Sequence, residues 1–299
     1  MASSSQIVDQ TTSNQSVSLS TLSKHEYFKH NTNDELFPFG FNNIGSNCWL
    51  NTMLQALMSC TGFNKYMEEN VDSFVLNPVG QAYLEILNEN EPDSSIKFLS
   101  SLIKTMKKPN SLRLSGQQCT HEGLTKFIEC LSQVRIDRMF EWIYRAEIEC
   151  PSCGEKSITR DINNSVQHVV TYDMPVDKFV SSLRNREVVA TGYTCEKCKV
   201  KSDTTRKENL VRAGEIICVT MEKASIIRQF PEKFEITSSK GNLKYMLVAI
   251  VDHYGSYGGG HYMARVLRQG KWFLCNDIQV SPSNPKSTGS ESMLMYEMY

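Results

Sequence analysis

From Cys48 to about residue 145 the apolar positions recur with helical spacing. Leu50, Met53, Leu54, Leu57 and Met58 fall at i, i+3, i+4, i+7 and i+8, which is one buried helix face. "VGQAYLEILNE", "SSIKFLSSLIKTM" and "THEGLTKFIECLSQV" repeat the pattern; Thr120 stands where a helix cap is expected, and Gly123 is an unfavourable residue inside the helix. Beyond about 145 the character changes. "AEIECPSC", "SITRDINNSVQHVVTYDM", "EIICVTME", "KYMLVAIVDHY", "GHYMARVLRQGKWFLCNDIQV" and "ESMLMYEMY" are short, β-branched or aromatic, and broken by turn residues. Helices first and strands second predict an α+β protein, a helical lobe beside a mostly antiparallel sheet. Residues 1–35 are polar and rich in Ser, Thr and Gln, and read as a disordered tail.

Composition narrows the field. The 299 residues are 40% apolar and 22% charged, ordinary for a globular protein. A net charge of −1 offers no extended basic field for nucleic acid and no polybasic patch for a membrane. No apolar run reaches the ~18 residues of a membrane span. The N-terminus lacks the apolar stretch of a secretory signal, so an intracellular protein of cytoplasm or nucleus is expected. In that setting the ten cysteines point to metal binding or catalysis rather than to disulfides.

Four of the ten form two Cys-x-x-Cys pairs, Cys150/Cys153 and Cys195/Cys198. Each pair presents two thiols on a tight turn. Four thiolates around one Zn²⁺ make a closed shell, hence a structural site. The 41 residues between Cys153 and Cys195 exceed the spacing of a compact ribbon, so a long hairpin is expected between the knuckles. Redox pairs or a degenerate, empty motif are the alternatives.

Cys48 stands where the loop "FNNIGSN" becomes a helix. A helix N-terminus favours the thiolate, which is the nucleophilic form. Gly45 is suited to a tight approach, and Ser46 and Asn47 are capping types. The alternative is a small buried residue near a cap. Far along the chain, His261 follows Gly258, Gly259 and Gly260 and opens a strand pattern. A hairpin from 261 to 276 would return Asn276 or Asp277 to the imidazole. The order Cys, His, Asn/Asp is compatible with papain-like thiol catalysis.

These residues resemble the ubiquitin-specific proteases. "GFNNIGSNCWLNTMLQAL" is similar to that family's cysteine box, and "YMLVAIVDHYGSYGGGHYMARV" to its histidine box. "SGQQCTHEGLTKFIECL" is similar to its Gln-Gln-Asp-Ala-His-Glu-Phe-Leu helix, and "SESMLMYEMY" to its terminal strand. The resemblance runs from about Gly40 to Tyr299. It implies a single catalytic domain over 36–299, with a helical thumb over about 40–140. Zinc-ribbon-like fingers would span about 145–215 and an antiparallel palm about 216–299. It implies hydrolysis of the bond after the C-terminal glycine of ubiquitin or a ubiquitin-like modifier, by a monomer with one structural Zn on four cysteines and no catalytic cofactor. Cys48 matches the nucleophile, His261 the base, Asn276 the third residue, with Asp277 its neighbour, and Asn43 the oxyanion donor. Gln117, Glu122, Gly258, Gly259, Gly260 and Tyr262 match substrate-facing positions. The glycine run suits a modifier tail that ends in Gly-Gly.

The sequence departs from the family pattern in places. Ser46-Asn47 replaces Asn-Thr, Cys119 replaces the acid of Gln-Gln-Asp, and "VTMEKAS" replaces a Leu-Lys-Arg-Phe strand. An inactive or weak ubiquitin-binding scaffold of the same fold is the alternative. A zinc-ribbon nucleic-acid binder, using the basic segment 195–212, is a third reading; that segment is expected to be a solvated hairpin.

Overall fold

The segment Ile216–Met221 (IICVTM) sets the layering, because it is apolar without alternation, as a strand covered on both faces must be. Ile216 and Cys218 join a core shared with the helices, while Ile217 and Val219 join a second core on the opposite face. The computed structural model describes residues 39–89, 91–105, 118–131, 135–163, 168–170, 178, 183, 185–221, 230–238, 241–256 and 259–299. The expected tail lies outside them, as do Gln117 and Gly258.

Helices α1 (Cys48–Met58), α2 (Thr61–Glu69), α3 (Val71–Phe74), α4 (Pro78–Glu89), α5 (Ser94–Thr105) and α6 (Thr120–Cys130) come first, followed by a 3-10 turn at Ile136–Phe140. The strands are β1 (Trp142–Glu149), β2 (Lys156–Asn163), β3 (His168–Val170), β4 (Asn185–Thr194), β5 (Lys201–Arg212) and β6 (Ile216–Met221). They continue with β7 (Lys233–Ser238), β8 (Gly241–Ser256), β9 (Gly259–Arg268), β10 (Lys271–Asn276), β11 (Gln279–Pro282) and β12 (Glu291–Met298). The change to strands comes slightly earlier than expected, at Trp142.

Among the described residues one sheet runs β11-β10-β9-β8-β12-β6-β3, with β7 also paired to β8. Its pairs are antiparallel except β3 with β6. A smaller antiparallel sheet runs β2-β1-β5-β4. Trp142 and Tyr144 anchor its base in the second core, while Cys153 and most of β2 stand exposed. The smaller sheet is therefore an arm rooted on the face of the larger one.

The long hairpin expected between the cysteine pairs is instead two hairpins. The β1–β2 turn carries one pair and the β4–β5 turn the other, and β3 departs to the large sheet in between. The turns meet because β1 and β5 are neighbours.

Strand β9 is pinned by a buried ion cluster. Arg265 donates through Nε and one terminal nitrogen to Asp252 at 2.7 and 2.8 Å, and to Glu291 at 3.0 Å. Such a cluster is tolerated in a core only when each charge is paired and hydrogen-bonded. Another terminal nitrogen bonds the carbonyl of Lys286, tying the segment before β12 to the same strand.

Gly123 has a packing reason. A Cβ there would overlap the buried indole of Trp49, so the glycine lets α6 lie close against α1. Gly123→Ala is expected to lower stability by about 1–3 kcal/mol through overpacking, despite the roughly 1 kcal/mol that alanine adds in helix propensity. The urea-unfolding midpoint checks this; a raised midpoint would show that propensity wins.

Candidate active site

Helix α1 and the residues flanking it carry a buried polar stripe on an otherwise mostly apolar segment. Asn47, Asn51, Gln55 and Ser59 recur every four residues, each at most 3% exposed. Asn47 sits at the N-cap position, but its side chain accepts no N–H of the first turn; its Nδ2 donates instead to Asn51 Oδ1 at 3.1 Å. Asn47 Oδ1 accepts from the Ile44 N–H at 2.9 Å, and its Nδ2 also donates to the Asn42 carbonyl at 3.0 Å. The expected cap thus ties the loop to Asn51 of the helix rather than closing the helix end. Gln55 Nε2 donates to the Phe39 carbonyl at 2.6 Å. Gly45 is required for its φ of +137°; a Cβ there would meet open space, so no tight approach is involved.

The hairpin β9–β10 meets this loop through Asp277. Arg268 pairs with Lys271 and Ala264 with Cys275, which brings Asn276 back towards His261. Asp277 follows in the left-handed region, φ 51°, a conformation that Asp adopts more readily than most residues. Its Oδ2 accepts from Asn43 Nδ2 at 2.9 Å, its Oδ1 from Asn51 Nδ2 at 2.8 Å, and its carbonyl from the Phe41 N–H at 3.0 Å. Asp277 therefore clasps the two parts of the site. Its Oδ2 also lies 3.8 Å from His261 Nε2.

His261 Nε2 lies 2.6 Å from Asn276 Oδ1. An amide oxygen only accepts, so Nε2 carries the proton and Nδ1 is left as the basic nitrogen. The backbone N–H of the next residue, Tyr262, lies near enough to Cys48 to act on its thiol, as does the Asp277 charge. Cys48, His261, Asn276, Asn43 and Asp277 are thus gathered at one place. Gly260 has a structural role of its own: a Cβ there would stand 2.5 Å from both His253 Nε2 and the Tyr254 carbonyl. At Gly259 a Cβ would meet nothing.

Cys48 is 4% exposed. Burial pushes its thiol above the ordinary value, and the charge of Asp277 adds to this. The N–H donors of Tyr262, Trp49 and Cys48 itself pull the other way without prevailing. The helix terminus alone therefore does not make Cys48 a resting thiolate, contrary to the expectation from its position. Desolvation outweighs the donors.

Helix α6 flanks the site. Its first residue is Thr120, not its cap; Cys119 occupies that position, and Thr120 Oγ1 donates to the Trp49 carbonyl at 3.3 Å. Glu122 lies half-buried in the first turn, and Tyr262 is buried with its ring 4.4 Å from that of His253. Sequence reasoning overlooked Asn51. The signal available was the Asn47, Asn51, Gln55 spacing, a polar ladder on an otherwise apolar helix.

At the tip of the arm the sulfurs of Cys150, Cys153, Cys195 and Cys198 all lie within 4.8 Å of one another. Cys150 and Cys198 are 3.7 Å apart, as are Cys153 and Cys195. Four sulfurs at 2.3 Å around a tetrahedral metal would stand about 3.8 Å apart. Each knuckle is closed by its own backbone: Gly154 N–H to the Cys150 carbonyl and Lys199 N–H to the Cys195 carbonyl, both at 2.9 Å. The donor set and spacing fit such a metal.

The helical lobe, the antiparallel sheet and the cysteine-tipped arm make a thumb, palm and fingers, with the thiol, imidazole and amide between thumb and palm. The family model described as "Ubiquitin carboxyl-terminal hydrolase" matches residues 39–296, and the chain belongs to that family. It is 26% identical over 298 residues to "Ubiquitin carboxyl-terminal hydrolase 11" of Schizosaccharomyces pombe, covering 86% of this chain and 83% of that protein. It is 25% identical over 280 residues to "Ubiquitin carboxyl-terminal hydrolase 36" of Drosophila melanogaster, covering 75% of this chain but only 26% of that protein. The chain thus spans about a quarter of the Drosophila relative's length. Its fold is similar to that in "Structure of the SAGA Ubp8/Sgf11/Sus1/Sgf73 DUB module bound to ubiquitin aldehyde". The TM-score is 0.68 at 19% identity, covering 87% of this chain and 69% of that one. Among the described residues no helix is long and apolar enough to cross a membrane.

Because the Asp277 charge is one of the causes holding the Cys48 thiol up, Asp277→Asn should move the pH profile of Cys48 alkylation to lower pH. Iodoacetamide labelling across pH, mapped to the Cys48 peptide, reads this. A profile that stays put or moves upward would mean that the carboxylate has no such effect.

Proposed function

We propose that this chain is a thiol hydrolase that cleaves the peptide or isopeptide bond after the C-terminal glycine of ubiquitin or a ubiquitin-like modifier. One observation carries the reading: Asp277, bonded to Asn43 and Asn51 on either side of Cys48, lies 3.8 Å from His261 Nε2, which is itself 2.6 Å from Asn276 Oδ1. Family membership and the likeness to a structure titled as bound to ubiquitin aldehyde support the choice of modifier.

In this reading Cys48 gives its proton to His261 Nδ1 and attacks the glycine carbonyl. A raised thiol suits this order, since the proton leaves as the nucleophile acts rather than beforehand. Asn43 has two N–H bonds; Asp277 holds one, and the other, with the Cys48 backbone N–H, receives the oxyanion. His261 protonates the departing amine, then activates the water that releases the acyl group. Asn276 fixes the ring. Glu122, Gly259, Gly260 and Tyr262 line the approach of the modifier's tail.

The four cysteines of the arm would hold one structural zinc, which when bound would cross-link the tips of the two hairpins. Residues 36–299 act as one catalytic unit.

Turnover of a fluorogenic ubiquitin conjugate tests the reaction. Wild type should release the fluorophore and Cys48→Ala should not. Asn43→Ala should lower kcat by about 10²–10³-fold, the loss of one oxyanion donor. A ubiquitin C-terminal electrophile that fails to label Cys48, with no turnover of ubiquitin or its relatives, would leave a binding scaffold as the better account.

The metal is tested separately. Elemental analysis should find about one zinc per chain, and Cys153→Ser should lose it and lower the unfolding temperature. A metal-free protein of full stability would refute the zinc assignment.

A further inference from the structure

Another thiol lies beside this cleft with a partner of its own. Cys119, half-buried at the N-cap of α6, has its Sγ 2.8 Å from His121 Nδ1. The Tyr262 hydroxyl donates to the same sulfur at 3.7 Å. The sequence "CTH" allows this because Cys119, as the N-cap, has extended rather than helical backbone, which turns its side chain back over the first turn. A contact this short suits a charge-assisted bond between thiolate and imidazolium.

The surroundings agree. Burial pushes the Cys119 thiol up, but the hydrogen bond and charge of His121, with the Tyr262 hydroxyl and the His121 N–H, overcome it and bring the thiol below its ordinary value. His121 moves the opposite way, raised by its bond to Cys119 and by the Cys119 and Glu122 charges against the effect of burial. Cys130, at the other end of the same helix, is also half-buried. Burial and the Glu129 charge push its thiol up, despite Lys126. One helix therefore carries an activated thiol and a built-in control.

We propose that Cys119 and His121 form a second nucleophilic thiol site, separate from the Cys48 centre, that reacts with hydroperoxides. The thiolate sulfur attacks one oxygen of hydrogen peroxide. An S–O bond forms as the O–O bond breaks, and the sulfur loses two electrons to become a sulfenic acid. The peroxide is reduced; its departing hydroxide takes the proton of the His121 imidazolium and leaves as water. The Tyr262 hydroxyl bonds Cys119, while its backbone lies on the side of Cys48.

The test treats the full chain, with its metal, with hydrogen peroxide and dimedone at about pH 7. Thiols still reduced are then alkylated under denaturing conditions, and each cysteine peptide is quantified by mass spectrometry. Cys119 should leave the reduced pool about tenfold or more faster than Cys130. His121→Asn, or His121→Gln should the first variant not fold, should slow Cys119 to the Cys130 rate and leave Cys130 unchanged. Equal rates in the wild-type chain would overturn the proposal. So would a fast Cys119 that is indifferent to loss of His121. The readout is oxidation of one sulfur, so it stands or falls independently of the hydrolase reading.

Discussion

One carboxylate holds the candidate site together. Asp277 receives Asn51 on one oxygen and Asn43 on the other, and its carbonyl receives Phe41. Hydrogen bonds to a charged group are worth about 1.5–3 kcal/mol each, and these add to the bonds that Asn47 and Gln55 already make to the same loop. Asn43 and Asn51 belong to the loop and helix of the thumb. Asp277 belongs to a turn of the palm near the far end of the chain. Helix α1 and strand β9 also share a core, and Arg268 of β9 donates to the Gln55 carbonyl at 2.8 Å, but among the described residues only Asp277 reaches both the loop before Cys48 and the turn that follows Asn276.

The remainder of the fold serves that clasp. Helix α1 is buried along its length, so Cys48 cannot drift. Strand β9 lies inside the large sheet and is held further by the Arg265 cluster. The arm stands apart, rooted through Trp142 and Tyr144, with its cysteines at the tip. A metal there would stiffen the arm and would take no part in the chemistry at Cys48. The candidate active site and the cysteine cluster thus lie in separate parts of the fold.

Much of this could be read from the chain. The helices at 48, 78, 94 and 120 announced themselves by apolar period, and Cys48, His261 and Asn276 by their junctions and hairpin. Strand β5 did not. "KSDTTRKENLVR" has almost no apolar residue because most of it stands on an exposed arm, held by its pairing to β1 and β4. The crossing of two hairpins was equally hidden, since strand pairing is non-local. Position alone suggested a depressed Cys48 thiol, but only the folded environment shows how deeply the sulfur is desolvated. The bond of Asn51 to Asp277 joins residues 226 positions apart, and nothing local in either segment specifies it.

The clasp is tested most directly by a double-mutant cycle. Urea unfolding of Asn51→Ala, Asp277→Ala and the pair measures whether the two residues act through each other. The account predicts coupling of about 0.5–3 kcal/mol, the double variant losing less than the sum of the singles. Losses that simply add would mean that Asp277 does not hold the thumb to the palm, and the arrangement at Cys48 would need another cause.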